Sequence, residues 1–113
     1  MADRIGLILG GQGYQVDYAS DGNQALSKIR LTCPDLVILD AVLPKFSGFQ
    51  VARLIKFDPN FGKLPILMLT VLDRPADKER AKLVGVDRYL TKPFSDDALL
   101  GAVKDLVNPA KKA

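Results

Sequence analysis

The 113 residues contain no histidine and one cysteine, Cys33. A disulfide scaffold is therefore excluded, a zinc site lacks its ligands, and every catalytic scheme built on a histidine base falls away. No apolar run approaches the roughly 20 residues of a membrane-spanning helix, and no secretory leader is read at the start. An excess of one charge is also missing. The 16 Lys and Arg against 13 Asp and Glu leave a net charge of +3, and the basic residues are scattered rather than gathered on a stripe. That distribution argues against direct contact with nucleic acid; Lys111-Lys112 reads as a solvated end. A reduced, cytoplasmic setting without membrane contact is expected. What remains is 48% apolar and 26% charged, the profile of one soluble globular domain.

From Tyr14 onward, short apolar runs alternate with amphipathic stretches, the rhythm of an α/β domain with a parallel sheet. Residues 14–18 alternate apolar and polar and predict a half-exposed strand. Ser20-Asp21-Gly22-Asn23 supplies cap chemistry for a helix to about Leu31, with Ala25, Leu26 and Ile29 on its apolar face. Leu36-Val37-Ile38-Leu39 is a continuous apolar run, expected of a strand covered on both faces. After Asp40 and a loop with Pro44, Ser47 and Gly48, a helix turns Val51, Leu54 and Ile55 inward. Residues 65–69 form a second buried strand ending at Thr70. A helix over 75–84 begins at Pro75, with Gly85 suited to the position just past its end. Residues 87–90 form a short strand, followed by Lys92-Pro93. Ser95 caps a last helix whose first turn carries Asp96 and Asp97 and whose face is Leu99, Val103, Leu106 and Val107. Asn108-Pro109 stops it, so the domain is expected over 1–107 with a tail at 108–113.

Three apolar strands each end in one polar side chain: Asp40, Thr70 and Lys92. Each alone is unremarkable, as a turn residue, a local hydrogen bonder and a solvated lysine. In a parallel sheet, however, the carboxyl ends of the strands share one edge, where ligands bind. A carboxylate can accept a phosphoryl group as an aspartyl phosphate, an ammonium can neutralise phosphoryl oxygens, and a hydroxyl can donate to one of them.

Pro34-Asp35-Leu36-Val37-Ile38-Leu39-Asp40, with Leu43-Pro44 and Gly48, resembles the phosphoacceptor segment of the response-regulator receiver domain. Pro65-Ile66-Leu67-Met68-Leu69-Thr70 is similar to that family's threonine strand, and Gly85-Val86-Asp87-Arg88-Tyr89-Leu90-Thr91-Lys92-Pro93-Phe94 to its lysine segment. The resemblance runs in order from Gly13 to Val107. It implies a flavodoxin-like doubly wound parallel sheet flanked by helices. It also implies Asp40 as phosphoacceptor, Lys92 as the phosphate-pairing lysine, Thr70 as the switch hydroxyl and Tyr89 as the aromatic that follows it. A cis bond at Lys92-Pro93 and a Mg²⁺ held by Asp40 and the backbone carbonyl of Val42 are implied as well.

The chain departs from the family at its start. The usual first strand and its two adjacent acids are missing, and residues 2–12 align with the family's first helix. Ile5, Ile8 and Leu9 give that helix a face, weakened by Gly6, Gly10 and Gly11. With one carboxylate left, a Mg²⁺ site is weak; Asp73 is the nearest conceivable substitute. Val71 stands where the family usually has a small residue. The missing strand would lie between 14–18 and 36–39, and its loss orphans backbone groups at roughly 1–3 kcal/mol each if buried. Three outcomes are open: a fragment or mis-started frame whose native form has the strand, direct pairing of its two neighbours, or a strand made by residues 4–9. Helix is the favoured reading of 2–12.

The expected function is therefore a receiver of a two-component phosphorelay. A histidine kinase or phosphotransfer protein phosphorylates Asp40, and a downstream protein reads residues 75–107. The chain is not expected to be an enzyme beyond self-phosphorylation and self-dephosphorylation, and homodimer formation is left open. A degenerate receiver, binding protein without phosphorylation, is the alternative. A nucleotide-binding enzyme using Gly10-Gly11-Gln12-Gly13 is the third reading, disfavoured because a strand rather than a helix is expected to follow those glycines.

Overall fold

A computed structural model describes residues 2–42 and 47–107. Helices α1 (Ala2–Gly11), α2 (Gly22–Thr32), α3 (Gly48–Phe57), α4 (Pro75–Leu83) and α5 (Asp96–Val107) surround strands β1 (Val37–Leu39), β2 (Ile66–Thr70) and β3 (Arg88–Thr91). The strands form one parallel sheet in the order β1-β2-β3. Val37 pairs with Ile66 at one end of the first ladder, and Thr70 with Thr91 at the end of the second.

All five residues of β2 are buried, as its central place and its unbroken Ile-Leu-Met-Leu run require. Side chains leaving the sheet alternately build two cores. Val37, Leu39, Ile66 and Met68 pack with Ile29 of α2 and Val51, Ala52 and Ile55 of α3. Leu67 and Leu69 pack on the other side with Leu9 of α1 and Leu99, Ala102 and Val103 of α5. Each fully buried aliphatic side chain contributes about 1.5–3 kcal/mol, so the two cores together fix the sheet between helical layers.

Local chemistry sets the helix ends. The Asp21 carboxylate accepts from the Gln24 amide at 2.9 Å, and Ser47 and Gln50 form a reciprocal capping box. Pro75 opens α4, Gly85 at φ +92° follows its end, and Ser95 Oγ accepts from the Ala98 amide at 3.0 Å. At the amino edge of the sheet, Asp87 Oδ2 accepts from the Ile66 amide at 2.8 Å and from Lys56 Nζ at 2.9 Å. This clip ties β2, the start of β3 and α3 together.

Several expectations need correction. Residues 14–18 belong to no strand or helix. Their alternation is real, with Tyr14 and Val16 half-buried and Gln15 and Asp17 exposed, yet a strand also needs a hydrogen-bonded neighbour, and the sheet stops at β1. Direct pairing with 36–39 is thus absent among the described residues, and residues 4–9 lie within helix α1, as the favoured reading had it. Leu54 is 49% exposed, because α3 buries Val51, Ala52 and Ile55 instead. Gly10 and Gly11 finish α1 and a segment of no regular structure follows, whereas a phosphate cradle uses the opposite, positive end of a helix. Leu43-Pro44 and residues 108–113 lie outside the described residues.

Candidate functional site at the carboxyl edge of the sheet

Parallel strands bring Asp40, one residue past β1, Thr70, the last of β2, and Lys92, one residue past β3, to the same edge. Lys92 Nζ donates to Asp40 Oδ2 at 2.7 Å across 52 residues of sequence. Asp40 Oδ1 accepts from the Val42 amide at 3.0 Å, so both carboxylate oxygens are engaged. The lysine amide donates to the Thr70 carbonyl at 2.8 Å, which continues the β2–β3 ladder into the site. The Lys92–Pro93 bond is cis.

Asp40 is held from behind as well. Gly48, the first residue of α3, donates its amide to the Ala41 carbonyl at 2.9 Å. A Cβ at position 48 would collide with the Asp40 carbonyl and sit 2.8 Å from the Ala41 Cα. Only glycine lets α3 start this close to the aspartate's backbone.

Thr70 is fully buried, and its side-chain oxygen accepts from the Leu72 amide at 3.3 Å. The Tyr89 hydroxyl donates to the Leu72 carbonyl at 2.6 Å. Thr70 and Tyr89 are thus joined through the main chain of Leu72. Sequence reading missed this residue, since a backbone bridge leaves no side-chain signature. Burial first, then the negative charges of Asp77, Asp73 and Asp40, push the Tyr89 phenol above its ordinary value. Val71 is exposed at the mouth of this turn.

The structure thus brings Asp40 and Lys92 into direct contact and connects Thr70 to Lys92 by backbone and to Tyr89 by way of Leu72. Beside the Asp40–Lys92 pair opens a groove of about 880 Å³ that runs between β1 and residues 14–18. Val42 enters the site through its amide. Among the described residues, no group of three or more His, Cys, Asp or Glu side chains is placed to hold a metal ion.

A parallel sheet with helices on both faces, and a carboxylate, a hydroxyl and an ammonium at its carboxyl edge, defines a flavodoxin-like α/β domain with its polar site at the strand ends. Known proteins narrow the class. The family model for the response regulator receiver domain matches residues 1–104. PilG of Pseudomonas aeruginosa is 44% identical over 92 residues, covering 81% of this chain and 68% of that protein. The phosphate regulon transcriptional regulatory protein PhoB of Rhizobium meliloti is 36% identical over 88% of this chain, which spans only 44% of that relative. Among solved structures, the signal receiver domain of a signal transduction histidine kinase from Syntrophus aciditrophicus superposes with a TM-score of 0.90 at 34% identity, over 99% of this chain and 85% of that one. The chain belongs to the response-regulator receiver family, the signalling modules of two-component systems, which are not classical enzymes.

The receiver of the sensor histidine kinase PA1611 from Pseudomonas aeruginosa, 28% identical with a TM-score of 0.85 over 94% of this chain and 87% of that one, has a magnesium ion coordinated in its active-site cleft. The described residues of this chain do not fit the ion. Asp40 is the lone carboxylate at the strand ends, one of its oxygens is paired with Lys92, and hard dications demand several oxygen ligands.

Proposed function

We propose that this receiver accepts a phosphoryl group on Asp40 from a histidine kinase or phosphotransfer protein, in the cytoplasm, and passes the signal on through residues 75–107. The observation that carries the reading is the 2.7 Å contact between Asp40 Oδ2 and Lys92 Nζ, made by residues from two separate strand ends. A carboxylate oxygen attacks phosphorus while the P–N bond to the donor's histidine breaks, and the bonding electrons leave with the donor. The product is an acyl phosphate on Asp40. Lys92, freed from a carboxylate that has become an acyl group, turns its ammonium to the phosphoryl oxygens.

New charge at Asp40 then competes for the Thr70 hydroxyl. Drawing that hydroxyl inward breaks its contact with the Leu72 amide, and Leu72 carries the change to Tyr89 through the Tyr89 hydroxyl bond. Helix α4, strand β3 and helix α5 present the altered face to a protein partner. Incubation with acetyl phosphate and Mg²⁺, followed on a phosphate-affinity gel, tests the reading. A retarded band that Asp40→Asn abolishes is expected; no band at any Mg²⁺ concentration contradicts it.

One observation favours a second reading, a receiver that binds protein without phosphorylation. The described residues form no set of metal-ligating side chains around Asp40. Under this reading, the Asp40→Asn protein binds its partner as tightly as the unaltered chain does.

A further inference from the structure

The last turns of three helices repeat one pattern: a buried apolar residue, a basic residue, and an apolar residue left in solvent. In α2 it is Ile29-Arg30-Leu31, in α3 Ile55-Lys56-Phe57 and in α4 Ala81-Lys82-Leu83. Ile29, Ile55 and Ala81 enter one core, so the three helices form one layer. The residue two positions on from each lies about 200° further round its helix. Leu31, Phe57 and Leu83 are accordingly 84%, 73% and 77% exposed. Each helix leads into a strand, α2 into β1, α3 into β2 and α4 into β3, so all three last turns lie at the amino edge of the parallel sheet. Macrodipoles account for cations at these ends, but not for a row of apolar side chains turned to water.

Charge that is scattered along the sequence gathers on the same layer. Helices α2 and α3 contain Lys28, Arg30, Arg53 and Lys56 and no acid, and the acids of α4 are Glu79 and the buried Asp77. Lys28 and Lys56 are paired with Asp17 and Asp87. Arg30, Arg53, Lys78, Arg80 and Lys82 make no ion pair with a described residue. Two of these guanidiniums lie over rings, Arg53 over Phe57 at 5.5 Å and Arg80 over Phe49 at 4.5 Å, which positions them beside the row. A guanidinium stacked in this way keeps its N–H groups for a carboxylate.

These features restrict the occupant to an acidic polypeptide in helical form. Packed helices lie about 8–10 Å apart, and seven residues of α-helix span about 10.5 Å. A helix laid across the layer therefore meets Leu31, Phe57 and Leu83 with every seventh side chain. A strand repeats one face about every 6.6 Å and falls out of step. Neither this chain nor a second copy offers such a helix among the described residues. Helix α5, the most acidic of the five, has Asp96 paired with Arg4 and Asp105 with Arg88, and its apolar face is buried in the second core. Residues 108–113 contain Lys111 and Lys112 and no acid.

We propose that the outer face of α2, α3 and α4, at their carboxyl ends, is a docking surface for an acidic amphipathic helix of another protein. Leu31, Phe57 and Leu83 are its apolar anchors, and Arg30, Arg53, Arg80 and Lys82 its cationic rim. The surface stands independently of the phosphorylation reading, because it lies at the opposite edge of the sheet from Asp40.

The test titrates a labelled helical peptide, three repeats of Glu-Leu-Ala-Glu-Glu-Ala-Ala, into the 113-residue chain. Fluorescence anisotropy reads the binding and backbone amide shifts in nuclear magnetic resonance locate it. Saturation below about 1 mM is expected, with shifts at Leu31, Phe57 and Leu83 and none at Leu7, which is exposed on the other layer. A peptide of the same composition with its leucines moved to opposite sides of the helix should bind at least roughly tenfold more weakly. Phe57→Ser combined with Leu83→Ser should weaken the original peptide to the same degree, and Lys82→Glu should weaken it most at low salt. The peptide comparison holds even if a variant fails to fold. Absence of saturation, equal binding of the rearranged peptide, or shifts confined to other parts of the molecule would overturn the proposal. Sedimentation with phosphatidylglycerol vesicles that the double serine variant abolishes, without peptide binding, would assign the face to a lipid surface instead. Self-association that moves the same amides without peptide would assign it to a second copy.

Discussion

Replacing Lys92 by methionine keeps most of the side-chain stem and removes the ammonium that sits 2.7 Å from Asp40 Oδ2. The lysine side chain is 16% exposed and the aspartate 33%, so the pair lies between a surface ion pair and a buried one. Exposed pairs contribute about 0.2–1 kcal/mol, whereas hydrogen bonds to charged groups contribute about 1.5–3 kcal/mol. The coupling between the two side chains should therefore be about 1–2 kcal/mol. Lys92→Met leaves a carboxylate held only by the Val42 amide, and Asp40→Asn leaves a largely buried ammonium without its counter-charge. Each single substitution destabilises, and the double substitution costs less than their sum by the coupling. With a urea m-value of about 1–2 kcal/mol/M, the midpoints of the four proteins depart from additivity by roughly 1 M. Equilibrium urea unfolding followed by far-ultraviolet circular dichroism reads all four. Additivity within about 0.3 kcal/mol would refute direct contact between positions 40 and 92.

Gly48→Ala should displace the Asp40 backbone, costing about 1–3 kcal/mol and removing phosphoryl acceptance; unchanged melting and unchanged phosphorylation would show that α3 yields freely. Tyr89→Phe deletes the bond to the Leu72 carbonyl and should cost about 1 kcal/mol, measured by thermal unfolding. The raised phenol also sets a pH dependence: the fold favours neutral Tyr89, so its contribution is intact below the ordinary value of 10.0 and is lost as pH rises through the folded-state value. The phenylalanine variant should lose less stability than the unaltered chain over that alkaline range, and parallel curves would contradict the assignment. Asp87→Asn breaks the Lys56 ion pair and weakens the acceptor for the Ile66 amide at the far edge of the sheet. It should lower stability by about 1–3 kcal/mol while phosphorylation at saturating donor is retained.

Much of this architecture was legible because its causes are local. Continuous apolar runs marked β1 and β2, since strands covered on both faces have no solvent side to encode. Asp21 within the 20–23 cluster, Ser95 and Gly85 announced helix ends through the hydrogen bonds and backbone angle that such residues supply. The polar residues closing three apolar runs located the site once the sheet was taken as parallel. What escaped depends on neighbours. Residues 14–18 carry a strand's alternation, but pairing is decided by what lies alongside, and among the described residues β1 is the last strand there. Leu54 faces solvent because α3 rotates to seat Ala52, a choice made by the opposing core. Leu72 joins Thr70 to Tyr89 through main-chain atoms that every residue possesses.

Borohydride trapping after incubation with acetyl phosphate and Mg²⁺ tests the phosphoacceptor assignment most directly, because the reductant converts an acyl phosphate to an alcohol at the residue that held it. Peptide mass mapping should find that conversion at position 40, in the unaltered chain and not in Asp40→Asn. Conversion at another carboxylate, or none at all while a receiver of the same family is trapped in parallel, would contradict the account.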